Sequence, residues 1–183
     1  MASVLVPLAQ SSEELEAVTI IDLLRRAGID VTTAGLDDQP VRASRGVVLI
    51  PDTTLDEALE SDYDMVVLPG GLPGADYLDK DPRIQTLLKK MANSEKIVAA
   101  ICAAPKVLAS AGLLDGKRAN ANPRTLEKLN LTNTTVTADV IIKDGNVITS
   151  RGPGTAMDFA LFLIAILVGE DKRSEVETGL VRP

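Results

Sequence analysis

The chain has 183 residues, 45% hydrophobic and 25% charged, which suits one compact water-soluble domain with a sizeable core. A formal net charge of −7 and an aromatic content of 2% exclude the basic patches and stacking platforms of a nucleic-acid or anionic-membrane binder. One cysteine and no histidine leave no internal disulfide, no Cys–His dyad, no Ser-His-Asp triad and no ordinary zinc site, so no metal is expected. With no basic-then-apolar leader at the N-terminus, the single thiol also points to a reducing, cytoplasmic setting.

In chain order, "SVLVPLA" (Ser3 to Ala9) is a short apolar strand. Ser11 and Glu14 form a Ser-x-x-Glu capping box opening a helix that runs to about Ala27 and stops at Gly28. The apolar face of that helix is Ala17, Ile20, Ile21, Leu24 and Ala27. A strand starts at Ile29, and a small hairpin or edge excursion centres on Ser44, Arg45 and Gly46. "DMVVLPGG" (Asp64 to Gly71) is an apolar strand ending in a glycine turn, followed by a helix near Pro82 with Ile84, Leu87, Leu88 and Met91 inward.

"IVAAICAAP" (Ile97 to Pro105) is a strand that ends on Cys102 and turns at once into a helix closed around Gly112. Two β candidates flank an Asp144–Gly145 turn, and "SRGPGT" (Ser150 to Thr155) leads into a buried helix, with a charged helix from about Glu170. The apolar run Phe159 to Val168 is shorter than the ~20 residues a bilayer span takes. Strands alternating with helices, and apolar on both faces, indicate a mostly parallel sheet covered by helices on each side, in one domain over residues 1–183.

Ligands of such sheets gather at the carboxyl ends of the strands, where four unusual segments of this chain converge. Cys102 sits on a strand-to-helix elbow, and the helix start favours its thiolate. Gly70 and Gly71, with Ala103 after the cysteine, supply backbone N–H groups for an oxyanion. Without histidine the proton carrier must be a carboxylate. A helical wheel places Glu13 and Glu16 on or beside the apolar face, with Glu14 farther round, and does not choose between the first two. Arg25, Arg26, Arg45 and Arg151 are the candidate anion-binding cations, Arg45 and Arg151 lying beside turns, and Ser150 and Pro153 border the same pocket.

These strings, with "SSEELEAVTIIDLLRRAGI", "VTTAGL", "SRGVVLIPD" and "TSRGPGTAMDFAL", resemble the ThiJ/PfpI superfamily nearly end to end, most closely its DJ-one branch. The resemblance implies a flavodoxin-like three-layer sandwich and a homodimer. It selects Glu16 as the acid that hydrogen-bonds the cysteine sulfur or its sulfinate, and it has Arg45 reaching the pocket across the dimer interface. It implies action on reactive dicarbonyls without a cofactor, either conversion of methylglyoxal to lactate or removal of glycation adducts. The alternative is an oxidative-stress sensor or redox chaperone whose Cys102 becomes a sulfinate. A peptidase of the PfpI kind ranks last, because no histidine is present to protonate a leaving amine. One departure stands out: where many members carry a histidine near the cysteine, this chain has Asn122, which cannot shuttle a proton near neutral pH. A slow enzyme is therefore expected.

Overall fold

The computed structural model describes residues 1–129, 131 and 133–182. The chain opens with β1 (Ser3–Leu8), α1 (Glu14–Arg26) and β2 (Asp30–Gly35), then makes a hairpin of β3 (Val41–Arg42) and β4 (Val48–Leu49). β5 (Thr53–Thr54), α2 (Leu55–Ala58), β6 (Met65–Leu68), α3 (Leu72–Lys80) and α4 (Pro82–Asn93) follow. Next come β7 (Ile97–Ile101), α5 (Pro105–Ser110), β8 (Arg118–Ala119), α6 (Pro123–Leu126) and β9 (Thr135–Val136). The chain finishes with β10 (Ile141–Asp144), β11 (Val147–Ser150), a 3-10 turn (Pro153–Thr155), α7 (Ala156–Val168) and α8 (Glu170–Gly179).

The main sheet has the order β10-β11-β7-β6-β1-β2-β5, and every neighbouring pair is parallel except β10 with β11. Successive strand side chains point to opposite faces, so two cores form. Leu5, Val66, Leu68, Val98 and Ala100 pack under Leu78, Ile84, Leu88 and Leu108 of α3, α4 and α5. Val4, Val6, Met65, Val67, Ala99 and Ile101 pack under α1 and α7. This is the expected three-layer α/β sandwich. No helix among the described residues is long and apolar enough to cross a membrane.

Local chemistry sets most boundaries. α1 buries Ala17, Ile20, Leu23 and Leu24 and gives way at Gly28, whose φ of +74° suits glycine. Ile21 is only half-buried, so Leu23 takes the place assigned to it on the inner face. α4 starts on Asp81, whose carboxylate accepts the Arg83 N–H at 2.9 Å, with Pro82 in the first turn. Two expectations are corrected. The Ser11–Glu14 capping box does not form: the helix begins at Glu14, its N-cap Glu13 makes no side-chain cap bond, and Ser11 sits at φ +64° with its N–H on Arg42 O. The segment after Gly71 is not a plain turn but α3. The hairpin expected around Ser44, Arg45 and Gly46 forms, as a separate two-stranded sheet that leans on the start of α1 through the Ser44 N–H to Ser12 O bond of 2.9 Å.

Candidate active site

The carboxyl ends of β1, β6, β7 and β11 bring Leu8, Leu68, Ile101 and Ser150 to one edge of the sheet, and Cys102 stands there. Its φ is +64°, left-handed backbone that a residue with a Cβ adopts only at a cost, as a nucleophile elbow requires. The bend is pinned from both sides, since Cys102 N–H donates to Ser150 O at 3.1 Å and Cys102 O accepts from Asn122 N–H at 2.7 Å. The backbone N–H groups of Gly71 and Ala103 lie toward the sulfur and favour its ionised form. The side chain is half-buried, open enough for a small reagent.

Glu16 enters from the first turn of α1 and is fully buried. Its Oε2 accepts the Gly70 N–H at 2.7 Å, and its carboxyl lies beside the Cys102 thiol, close enough for the two groups to shift each other's titration. Its Oε1 is without a hydrogen-bond partner among the described residues. Gly70 therefore serves the carboxyl, and Gly71 and Ala103 serve the sulfur. Glycine is required at position 70 because a Cβ there would stand 2.6 Å from both Cys102 Cβ and Glu16 Oε2. Gly71 and Gly74 allow the Ser11–Glu13 turn to lie directly against α3, where a Cβ on Gly74 would meet Ser12 Cα at 2.8 Å.

Burial pushes Glu16 up to about 7, helped by the Glu13 charge and opposed by the bonds to Cys102 and Gly70. Burial also pushes the Cys102 thiol up, to about 12, with the Glu16 charge and bond adding to the rise and the Gly71 and Ala103 donors opposing it. The helix start is expected to favour a thiolate, and burial outweighs that effect. Two buried anions in contact repel, so the pair titrates as a unit and carries a single negative charge over the pH range between about 7 and about 12. That charge resides on the sulfur whenever the Glu16 carboxyl takes the proton.

The other expected residues divide. Asn122 lies at the site, with Nδ2 3.9 Å from the sulfur and Oδ1 accepting the Arg124 N–H at 3.1 Å. The Ser150–Thr155 loop borders it, because a Cβ on Gly152 would stand 3.8 Å from Asn122 Nδ2. Ser150 acts through its carbonyl, while its hydroxyl donates to Val140 O at 2.8 Å. Arg151 donates to Ala138 O at 3.3 Å, and Pro153 is exposed at the start of the 3-10 turn. The Arg45 side chain is exposed, and its backbone N–H binds Glu14. Arg26 is a correction: at the far end of α1 it pairs with Asp22 at 2.7 Å, and Arg25 pairs with Asp52, so neither reaches the thiol. A cavity of about 760 Å³ between Leu59, Tyr63, Leu87 and Met91 contains none of the expected site residues.

Sequence reasoning misplaced Glu14. It is 8% exposed, covered by the hairpin and bound by Ser44 Oγ at 2.9 Å and Arg45 N–H at 2.8 Å. No local pattern signals this, because its partners lie about thirty positions away in the chain.

A strained cysteine facing a buried glutamic acid at the tip of a parallel sheet defines a class of thiol proteins built on the α/β sandwich. The DJ-1/PfpI family pattern matches residues 2–166, and the chain belongs to that family. Protein dj-1beta of Drosophila melanogaster is 43% identical over 180 residues, covering 98% of this chain and 96% of that protein. Its crystal structure superimposes with a TM-score of 0.95, covering 100% of this chain and 98% of that one. Oxidized DJ-1 of Toxoplasma gondii is 37% identical with a TM-score of 0.93, covering 99% and 98% of the two chains. The glutathione-independent glyoxalase DJR-1.2 of Caenorhabditis elegans is 33% identical over 175 residues, covering 96% of this chain and 92% of that protein.

Proposed function

We propose that the chain is a cofactor-independent enzyme acting on reactive 1,2-dicarbonyls, by converting methylglyoxal to lactate or by reversing early glycation through the same thiol. The observation that carries this reading is the Cys102–Glu16 pair: a strained sulfur with two backbone donors, beside a buried carboxyl raised to about 7. The name of the Caenorhabditis elegans relative, a glutathione-independent glyoxalase, supports it.

In the first step the Cys102 thiolate attacks the aldehyde carbon, and the resulting alkoxide is held by the Gly71 and Ala103 N–H groups and takes the Glu16 proton. The Glu16 carboxylate then removes the hydrogen from that carbon, giving an enediolate whose hydroxyl proton passes to the other oxygen. Glu16 returns its proton to the neighbouring carbon, which leaves a hydroxyacyl thioester on Cys102. Water attacks the thioester, lactate departs and the thiol is restored, so methylglyoxal plus water yields lactic acid with no net redox change. Asn122 can hydrogen-bond the substrate but cannot carry its proton, which leaves Glu16 to make both transfers at carbon and slows the cycle. Cys102→Ala is expected to abolish lactate formation from methylglyoxal, measured by a lactate assay, and unchanged turnover would overturn the reading. Asn122→His is expected to raise the rate.

A second reading is favoured by the unpartnered Glu16 Oε1 and by the description of the Toxoplasma gondii structure as oxidized. The thiolate takes one oxygen from each of two peroxide molecules, which leave as water, and the sulfinate accepts the Glu16 proton in a hydrogen bond. Mass spectrometry after mild peroxide is expected to show two added oxygens on the Cys102 peptide, and an untouched thiol would exclude this role. In both readings the working form is a homodimer, supported by the exposed Leu15 and Val18 on α1 and Val47, Val48 and Ile50 on the hairpin segment.

A further inference from the structure

The hairpin carries no reacting group, yet it is tied to the site by a continuous set of bonds that meet at Glu14. The Glu14 carboxylate accepts from Ser44 Oγ at 2.9 Å, from Arg45 N–H at 2.8 and 3.0 Å, and from Val47 N–H at 3.4 Å. Beside it, Ser44 N–H donates to Ser12 O at 2.9 Å and Ser11 N–H donates to Arg42 O at 2.8 Å. The turn so held passes the restraint on, because Glu13 N–H donates to Gly70 O at 2.9 Å. Gly70 and Gly71 then end the series, the first N–H bonded to Glu16 and the next one favouring the ionised form of the Cys102 sulfur.

We propose that Glu14 is a positioning residue whose carboxylate latches the β3–β4 hairpin to the β1–α1 turn and thereby holds the Gly70 and Gly71 donors on the Cys102–Glu16 pair. The inference rests on Cys102 and Glu16 being the reactive pair and extends the machinery to a residue that touches neither. Two features separate a latch from ordinary surface pairing. Glu14 is nearly buried, and it spends its acceptor positions on backbone N–H groups of the hairpin bend, which have no other partner within a two-strand ladder this short. The Ser44 hydroxyl is also within 2.8 Å of Glu13, the residue whose charge acts on Glu16, so loss of Glu14 frees that hydroxyl for Glu13 alone.

The test reads thiol reactivity, not turnover. Because the chain has one cysteine, alkylation by iodoacetamide reports Cys102 without ambiguity. Rates across pH 7 to 9 are measured for wild type, Glu14→Ala, Glu14→Gln and Ser44→Ala, with circular dichroism to establish folding. Weakening of the Gly71 donor raises the thiol's titration, and one unit of rise is a tenfold loss of thiolate. Glu14→Ala is expected to alkylate about tenfold more slowly. Glu14→Gln is expected to fall between it and wild type, since its amide oxygen still accepts from Arg45 N–H. Should Glu14→Ala not fold, the Gln and Ser44→Ala variants carry the same expectation with smaller shifts. Folded variants that alkylate at the wild-type rate or faster overturn the latch. A wild type without methylglyoxal turnover would remove the enzyme reading and leave this result standing, so the two failures are distinguishable.

Discussion

At Gly70 the whole site depends on a missing atom. A Cβ there would fall 2.6 Å from Cys102 Cβ and Glu16 Oε2 and 3.0 Å from Ile101 O; the Cβ and the carbonyl are fixed by the backbone, and the Glu16 carboxyl is fully buried. Gly70→Ala is expected to cost about 1–3 kcal/mol in urea unfolding, as overpacking does, and to abolish Cys102 reactivity. Glu16 makes a prediction of opposite character. Folded Glu16 keeps its proton from the ordinary 4.5 up to about 7, where the unfolded chain has released it. Its contribution to stability is therefore complete below 4.5 and is lost as the pH rises through about 7. Glu16→Gln removes that dependence, so wild type is expected to lose stability relative to the variant between pH 5 and pH 8 in paired urea titrations. Cys102 was legible from its neighbours, since an apolar strand running into small residues leaves a thiol few other places to be. Glu16 was not separable from Glu13 by periodicity, because both lie on one side of the wheel and only long-range contact with Gly70 distinguishes them.

At the scale of elements, helices were legible from apolar periodicity more than from caps, since α1 and α7 lack a side-chain cap bond and the capped α2 and α6 were not legible. α4 announces itself through Asp81 and Pro82, and Asp81→Ala is expected to cost about 1–2 kcal/mol in urea unfolding while leaving Cys102 alkylation unchanged, since its carboxylate serves only the cap and Arg83. α3 was hidden because its first turn is Leu72, Pro73 and Gly74, residues that signal a turn by local preference. There the packing requirement wins: Gly74 has to be small where Ser12 crosses, and the helix propensity it forfeits is recovered from Ala75 and Leu78 in the core. The false capping box at Ser11 has the same origin. Its motif is local, but the hairpin takes the Ser11 N–H and holds the residue at φ +64°, so the helix starts later.

Across the whole molecule, the layered sandwich follows from strands that are apolar on both faces, and the two cores bear this out strand by strand. Strand order and the separation of the hairpin from the main sheet were beyond the reach of the sequence pattern, because no local pattern says which strand neighbours which. If the proposed homodimer forms through the exposed apolar residues of α1 and the hairpin, Val18→Asp with Val48→Asp is expected to convert a dimeric sedimentation profile to a monomeric one. The central physical claim is that Glu16 holds a proton beside Cys102 near neutral pH. Infrared difference spectra of wild type against Glu16→Gln test it most directly. The account expects a protonated-carboxyl carbonyl band in wild type at pH 5 that fades as the pH passes about 7 and is missing from the variant. A wild type already fully ionised at pH 5, or a band that survives in Glu16→Gln, would contradict it.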